Sequence, residues 1–269
     1  MVAAALAAGW RPQTVFLRDE AADELGERLG LGEASVFVVN ERVAARLSTL
    51  DSPADVMAVL PLPERRPLGS LLGSVSGPKA AAPQRDNGLP AVAGLDARAA
   101  SDLLIVYVDG VQDPGNVGTL IRAAVAFGAS ALVASPGSAD LYGPKTVRAS
   151  MGALFGVPVF PDTRLDEVLR ELAAVTVYGL AAHGGEPLDR AELARPAVLV
   201  VGAERAGLSR AALAHVDRVV TIPMAPPARG VVESLNAGVA GAIALYEFSR
   251  RPAGAADDPA RRLPAPQEG

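Results

Sequence analysis

Cysteine is absent from this chain of 269 residues, and lysine occurs only at Lys79 and Lys145. Without cysteine the protein can form no disulfide, no thiolate zinc site and no covalent intermediate on a thiolate. No run reaches the roughly 18 uncharged apolar residues that a membrane helix needs. The apolar start at residues 2–10 lacks the preceding basic region of a secretory signal. We therefore expect a soluble, cytoplasmic protein with no membrane partner.

Several common binding signatures are missing as well. No GxGxxG, P-loop or zincin pattern occurs, and neither His183 nor His215 has a partner at metal-ligand spacing, so we expect no metal. The net charge of -5 argues mildly against a protein that coats nucleic acid along its whole surface. A local basic groove stays open, because affinity for nucleic acid follows the local placement of Lys and Arg.

The composition divides the chain into four segments. Residues 1–64 carry short strand-like and helical stretches, which predict a small α+β domain. Residues 65–100 are rich in Pro, Gly, Ala and Ser and are typical of a linker. Residues 101–250 form the main domain, and the tail at 251–269 has a composition typical of disorder.

The main domain alternates short apolar runs with helical patterns. Six uncharged, β-branched runs indicate strands that are buried on both faces: 103–108, 131–134, 157–160, 175–180, 197–201 and 219–222. The helical patterns between and after them lie near 117–127, 145–154, 165–172, 210–216 and 235–248. This alternation predicts an α/β fold with a parallel sheet. Ligands of such sheets bind outside the carboxyl ends of the strands, so the residues after each run deserve the closest reading.

Three of these strand ends are chemically unusual, although each of their residues also has a purely structural interpretation. After the first strand, Asp113 can cap a helix, and Gly118 can let another molecule approach the backbone closely. Arg122, one turn later, is either a solvated charge or an anion clamp. After the fifth strand comes Glu204 in a glycine-rich turn, and Ser234 can cap the last helix.

Taken together and in order, the segments resemble the three motifs of the SpoU/TrmH family of S-adenosylmethionine-dependent RNA 2′-O-ribose methyltransferases, within the SPOUT superfamily. The matching sequences are DGVQDPGNVGTLIRAAVAFGA (109–129), VVGAERAGLS (200–209), and IPM (222–224) with ESLNAGVAGAIALYE (233–247). A fourth stretch, YGPKTVRASMGALFGVPV (142–159), is similar to the segment between the family's motifs. The resemblance covers the whole of residues 101–250.

Membership of this family implies an α/β catalytic domain with a C-terminal trefoil knot, S-adenosylmethionine as cofactor, and a homodimer that completes the active site. The N-terminal segment resembles the family's small substrate-binding domain, which has a fold similar to ribosomal protein L30e. The first strand of that domain is missing here, so either the domain is abbreviated or its start lies upstream. The module favours rRNA over tRNA as the substrate.

The resemblance also implies roles for individual residues. The catalytic residues are Arg122, Asn116, Glu204, Ser234 and Asn236. The adenosine pocket is formed by Leu180, Gly202, Ile222, Met224 and Leu235. The RNA contacts come from Arg148, Ser150 and Lys145. For Arg122 we favour phosphate clamping and stabilisation of the nascent alkoxide, because deprotonation of a guanidinium with a pKa above ~12 is costly.

Two departures from the family pattern accompany these expectations, and other functions stay open. The loop between Met224 and Ser234 is longer than the family's usual turn, and the run after Asn236 lacks a common hydroxyl, so Gly238 receives no role.

The alternative functions are a tRNA 2′-O-methyltransferase, a non-catalytic RNA-binding member of the fold, and a nicotinamide-dependent reductase. The missing glycine fingerprint opposes the reductase, and the missing cysteine excludes C5-methylases that attack through a thiolate.

Overall fold

The computed structural model describes residues 1–48, 52–64, 102–172, 175–225 and 233–251. The predicted linker at 65–100 and all but the first residue of the predicted tail at 251–269 lie outside the described residues. No helix in the described ranges is both long enough and apolar enough to cross a membrane. Two sheets organise the rest, one of three strands and one of seven.

The smaller sheet lies in residues 14–59, where β1 is flanked by β2 in parallel and by β3 in antiparallel orientation. Its elements are α1 (Val2–Ala7), β1 (Thr14–Arg18), α2 (Ala22–Leu29), β2 (Ser35–Val39), α3 (Glu41–Leu47) and β3 (Val56–Val59). A small core of Val15, Leu17 and Leu25 joins β1 to α2. The strand-like pieces that the sequence shows at 14–17 and 36–39 and the helical stretches around 21–29 and 41–47 are observed as β1, β2, α2 and α3, because each is a short apolar or amphipathic run between turn residues.

The larger sheet is entirely parallel, as predicted, with the strand order β6-β5-β4-β9-β7-β10-β8. Its strands are β4 (Leu104–Asp109), β5 (Ala131–Ala134), β6 (Val159–Phe160), β7 (Thr176–Leu180), β8 (Glu186–Pro187), β9 (Ala197–Gly202) and β10 (Arg218–Thr221). Its helices are α4 (Pro114–Ala126), α5 (Pro144–Ala149), α6 (Leu165–Glu171), α7 (Arg210–Leu213) and α8 (Ala237–Ser249). All six residues of β4 are buried, because alternate side chains enter cores on opposite faces of the sheet.

Two glycines set how closely the helices on one face pack. A Cβ on Gly241 of α8 would overlap the Leu120 side chain of α4, and a Cβ on Gly118 would overlap the Ala149 methyl at the end of α5. The same added atom at Gly118 would lie 2.9 Å from the backbone nitrogen of Ser150. The sequence suggested that Gly118 leaves room for another molecule; instead, the protein's own chain fills that space.

Several boundaries differ from the sequence predictions. The helix predicted at 145–154 ends at Ala149, because Met151 and Gly152 adopt positive φ angles of 51° and 92° before a short 3₁₀ turn at Ala153–Gly156. The last helix is capped by Asn236 rather than Ser234. The two-residue strand β8 was not predicted, since it is too short to show a periodic pattern.

The N-terminal helix contacts the larger unit directly. Trp10, just after α1, packs edge-to-face on Phe155 in the 3₁₀ turn, with ring centroids 5.3 Å apart. A Cβ on Gly152 would come within 2.9 Å of the Ala4 methyl. The small unit therefore rests on the segment that follows α5.

Candidate active site

The carboxyl ends of the central strands converge at one edge of the seven-stranded sheet. Strands β4 and β9 are neighbours, and Asp109 at the end of one pairs with Gly202 at the end of the other. Strand β7 borders β9 on its far side, with Leu180 opposite Val201. The loops that follow these strands enclose two adjoining spaces, described below as the inner cavity and the cleft.

The inner cavity has a volume of ≈ 320 Å³ and a mostly apolar wall. All five residues expected to bind the adenosine moiety line it, together with Ser234: Leu180, Gly202, Ile222, Met224 and Leu235. They come from the ends of β7, β9 and β10 and from the segment before α8. Gly202 has no room for a side chain, since a Cβ there would lie 2.6 Å from the backbone nitrogen of Leu208.

Further residues line this wall, some of them in the segment after β7, which the family resemblance also implies as a wall of the pocket. Ala181 and Ala182 extend the wall after β7, while Leu208 and Ala240 contribute from the loop after β9 and from α8. Small alanines carry no chemical signal in a sequence, although their position just after a predicted strand was available as a clue.

A chain of three polar side chains joins the loops at this edge. Asn236 donates from Nδ2 to Oδ1 of Asn116 at 2.7 Å, and Asn116 donates from Nδ2 to the Glu204 carboxylate. The direction is fixed, because Asn236 uses its own Oδ1 to accept the backbone N–H of Val239 as the cap of α8. Asn116, largely buried near the start of α4, is held by Asp113, whose Oδ1 accepts the Asn116 backbone N–H at 2.8 Å.

The cleft is larger and more open, with a volume of ≈ 1350 Å³. Asn116, Glu204 and Asn236 all line it. Glu204 also lines the inner cavity, and it is the titratable side chain that the two spaces share among the described residues. Glu204 therefore borders both the inner cavity and the cleft.

The floor of the cleft contains two groups that the sequence analysis missed. Asp109 is buried and accepts the backbone N–H of Ser209 at 2.6 Å, which ties the end of β4 to the loop after β9. The Tyr107 hydroxyl donates to the Thr163 carbonyl at 3.2 Å. Burial, with a smaller contribution from Asp109, raises the pKa of Tyr107 to about 12. Both residues lie at the carboxyl end of a predicted strand, where ligands of parallel sheets bind, and this position was the signal available in the sequence.

The far end of the cleft carries an ion pair, also missed from the sequence. The Arg164 guanidinium donates from Nε to Oδ1 of Asp166 at 2.9 Å, and Arg170 binds the other oxygen of the same carboxylate at 3.1 Å. The hydrogen bond to Asp166 raises the pKa of Arg164, and the hydrogen bond from Arg164 lowers the pKa of Asp166. Arg164 and Asp166 line the cleft, whereas Arg170 does not.

Arg122 is not joined to this polar chain within one molecule. Its side chain is exposed on α4 and lines neither the inner cavity nor the cleft. Within the described ranges it makes no hydrogen bond or ion pair. A single chain therefore brings together four of the five expected catalytic residues and leaves Arg122 apart.

The three residues expected to contact RNA fall into two environments. Lys145 and Arg148 line an open surface pocket of ≈ 500 Å³ beside Pro114, at the start of α4. Ser150 is fully buried, and its hydroxyl donates to the Val147 carbonyl at 2.7 Å. Its burial contradicts a direct RNA contact, and we correct its role to holding the end of α5. In the part of the chain that the structure describes, no cluster of three metal-ligating side chains occurs.

Comparison with known proteins decides the family. The model of the SpoU rRNA Methylase family matches residues 103–246, which is more than half of the chain. The chain belongs to this family. The resemblance that the motifs suggested is thereby confirmed, and a nicotinamide-dependent reductase is ruled out. The region of this chain that matches the model of SpoU methylases includes the seven-stranded sheet and all but the end of α8.

Individual relatives support the same family. The chain is 39% identical over 146 residues to the 23S rRNA (guanosine(2553)-2′-O)-methyltransferase RlmP of Bacillus subtilis, covering 54% of this chain and 57% of that protein. It is 38% identical over 157 residues to the 23S rRNA (uridine(2479)-2′-O)-methyltransferase of Streptomyces viridochromogenes, covering 56% and 53%. The chain thus spans little more than half the length of the curated relatives that it matches.

The fold also matches solved structures of SpoU methylases. The structure of AviRb from Streptomyces viridochromogenes in complex with AdoMet superimposes with a TM-score of 0.71 at 28% identity. The superposition covers 93% of this chain and 86% of AviRb.

Proposed function

We propose that this protein transfers a methyl group from S-adenosylmethionine to a ribose 2′-hydroxyl of structured RNA, with rRNA favoured over tRNA. Family membership supports the reaction class, and relatives that are named as 23S rRNA 2′-O-methyltransferases support rRNA. The observation that carries the proposal is the inner cavity, where all five expected cofactor residues meet beside Glu204.

The residues of the inner cavity fit S-adenosylmethionine. Its volume lies within the roughly 300–1,000 Å³ typical of small-molecule sites. The apolar side chains of Leu180, Ile222 and Leu235 suit the faces of an adenine ring. The missing side chain at Gly202 lets the backbone of Gly207 and Leu208 pack against the strand end, which shapes this wall of the cavity. When bound, the cofactor supplies an electrophilic methyl carbon on a sulfonium.

The residues on the cavity wall orient and deprotonate the nucleophile. A hydroxyl becomes a better nucleophile as it loses its proton, so a carboxylate within reach of both spaces is useful. We assign this role to Glu204, which Asn116 holds by one hydrogen bond and which needs only its other oxygen to accept a proton. Asn236 keeps Asn116 in the orientation that makes it a donor to Glu204. Ser234, on the cavity wall, is assigned to the same machinery.

Arg122 enters the proposal through a homodimer. Helix α4 exposes Val125 one turn after Arg122, and α8, whose Gly241 packs on Leu120 of α4, exposes Val239 and Tyr246. Burial of these apolar side chains against a second copy is favourable. In such a dimer, Arg122 would reach the cleft of the other copy, where a guanidinium can clamp a phosphate and stabilise a nascent alkoxide.

The proposal also covers the domain organisation of the chain, its contacts with RNA and its location in the cell. Residues 101–250 form the methyltransferase domain, whose C-terminal part is knotted, and residues 1–64 form an L30e-like RNA-binding domain, with a linker at 65–100 and a tail at 251–269. Lys145 and Arg148 contact the RNA backbone from their open pocket. An rRNA substrate places the enzyme in the cytoplasm.

The reaction is tested with labelled S-adenosylmethionine and with rRNA and tRNA from cells that lack the gene. We expect label in rRNA as a 2′-O-methylnucleotide, and a loss of roughly 100-fold or more in kcat for E204Q. Calorimetry should show that E204Q still binds S-adenosylhomocysteine. Label in tRNA alone would favour the tRNA enzyme, and RNA binding without any transfer would favour a non-catalytic member.

The dimer is tested by mixing two inactive variants. In a heterodimer of R122A and E204Q, one site regains both residues if Arg122 acts across the interface. We expect about half of the wild-type activity, since one of two sites is restored. No recovery, with the heterodimer verified by native mass spectrometry, would place Arg122 in its own chain's site or outside catalysis.

A further inference from the structure

The far end of the cleft is not used by the reaction described above. Beyond Glu204 and Asn116 the cleft continues to Pro136, Leu165 and His215, and its volume of ≈ 1350 Å³ is about four times that of the inner cavity, at ≈ 320 Å³. One ribose at Glu204 leaves most of this space unfilled. Sequence-specific recognition of RNA mostly targets single-stranded loops, bulges and ends, where the bases that neighbour the modified nucleotide are unpaired.

The charge of the cleft points to a base rather than to a phosphate. The charged side chains that line it are four carboxylates, Asp109, Asp113, Asp166 and Glu204, against two guanidinium groups, Arg164 and Arg205. Within one chain this excess of negative charge disfavours a phosphate, and the phosphate clamp proposed above comes from Arg122 of a second copy. Carboxylate oxygens do accept hydrogen bonds from the amino and imino groups on the edges of nucleobases.

Arg164 supplies a flat, oriented surface at this end. Its side chain is 66% exposed and its Nε is bound to Asp166, so the guanidinium is oriented while most of the side chain stays accessible. In the part of the chain that the structure describes, its terminal amino groups make no further hydrogen bond. Guanidinium planes of this kind stack on unpaired bases in RNA recognition.

We infer that the far end of the cleft is a binding site for an unpaired nucleobase that neighbours the methylated nucleotide, stacked on Arg164, whose plane Asp166 holds. Pro136, which is exposed, adds apolar surface to the lining of the same cleft. This inference rests on the proposed function for the identity of the ligand. It assigns sequence preference to a site that is separate from the methyl-transfer residues.

The test compares two arginines that share one carboxylate. Arg164 and Arg170 both pair with Asp166 and are similarly exposed, at 66% and 69%, but only Arg164 lines the cleft. Binding of a short single-stranded oligoribonucleotide is measured by fluorescence anisotropy, alongside an abasic version with the same number of phosphates. We expect R164Q to weaken binding of the base-containing RNA about tenfold, as the loss of one stacked base does, while R170Q matches the wild type.

Two further results complete the test. R164K should fail to restore binding, because lysine keeps the charge without the plane, and binding of the abasic RNA should be the same for R164Q and the wild type. The inference is overturned if R164Q binds normally, if R164K rescues binding, if the abasic RNA responds equally, or if R170Q is equally impaired. A wild type that binds bases through Arg164 but methylates no RNA would instead sink the proposed function and leave this site standing.

Discussion

The two sheets of this protein bury their strands very differently. Every residue of β4 in the large sheet is buried, whereas four of the five residues of β2 in the small sheet are exposed. The large sheet has helices on both faces and cores on both sides. The small sheet has one core of three buried residues. Burial of apolar surface is the main source of stability. The site therefore lies on the more extensively buried, and so more stable, of the two sheets.

The chain of polar side chains at the site depends on the large sheet for a rigid support. Asn116 lies in the first turn of α4 and Glu204 in the loop after β9, and this loop is tied to the end of β4 by Asp109 and by the ladder between β4 and β9. The small unit contacts the large one through α1 and Trp10. We therefore expect mutations in the large sheet to affect stability and activity together, and mutations in the small sheet to leave the site intact.

The largest difference is expected for core truncation. Leu199→Ala in the fully buried centre of β9 should destabilise the chain by about 2–5 kcal/mol, because it leaves a cavity. Val38→Ala in β2, whose side chain is 61% exposed, should cost less than about 0.5 kcal/mol. Hydrogen exchange followed by mass spectrometry on the full chain separates the two sheets. Equal loss of protection for both variants would refute the contrast.

Replacement of one glycine in each unit by alanine should change the free energy of unfolding in opposite directions. Gly118→Ala forces a methyl against the Ala149 side chain and the backbone at Ser150 and should destabilise by about 1–3 kcal/mol. Gly26→Ala in α2 meets only Leu17, at 3.9 Å, and should stabilise by about 0.5–1 kcal/mol through helix propensity. Urea denaturation measures both. A stable G118A variant would mean that α4 can shift away from α5 without cost.

Helix caps give a smaller difference of the same kind. Asp113→Ala removes the side chain that accepts the N–H of the largely buried Asn116, and we expect a loss of about 2 kcal/mol. Asn40→Ala removes the cap of α3, whose donor Val43 is exposed, and should cost about 0.5 kcal/mol, because water replaces the bond. Chemical denaturation with local exchange rates checks both values. A cap at Asn40 that proves the stronger would reverse the ranking of the two units.

The smallest effect at neutral pH concerns Tyr107. Its pKa in the folded protein is about 12, above the ordinary value near 10. A raised pKa means that the folded state holds the proton more tightly, so this contribution to stability is complete below pH ~10 and is lost as the pH rises towards 12. Denaturation across this range should show the loss in the wild type and not in Y107F. Identical pH profiles would show that the hydroxyl titrates normally in the fold.

Local sequence patterns were sufficient for most of the large sheet. The run at 131–134 is the observed strand β5, because four uncharged residues stand between Ser130 and Ser135. Patterns failed where a distant neighbour decides the outcome. Asn236 rather than Ser234 caps α8 while also binding Asn116, which is 120 residues away along the chain. Nothing near residue 236 in the sequence reports that partner.

The residues of the site also fall into those that local sequence patterns identified and those that depend on tertiary contacts. The motifs identified the loops that form the inner cavity, since each loop follows a recognisable strand. They did not identify Arg164, whose ion pair with Asp166 looks like an ordinary surface pair until the cleft is seen. They also placed Ser150 at the RNA, although its burial by the packing of α5 against α4 was not visible locally.

The order of residues alone determined the alternation of strands and helices, the family, and the segments from which the site is built, because hydrophobic periodicity and turn chemistry are local properties. The tertiary structure decided which of those segments touch. The strand order that brings β4 beside β9 and β7 places Glu204 between the cavity and the cleft and leaves Arg122 on an outer face. Contacts between residues 88 and 120 positions apart depend on how the sheet is assembled, and no local pattern encodes that assembly.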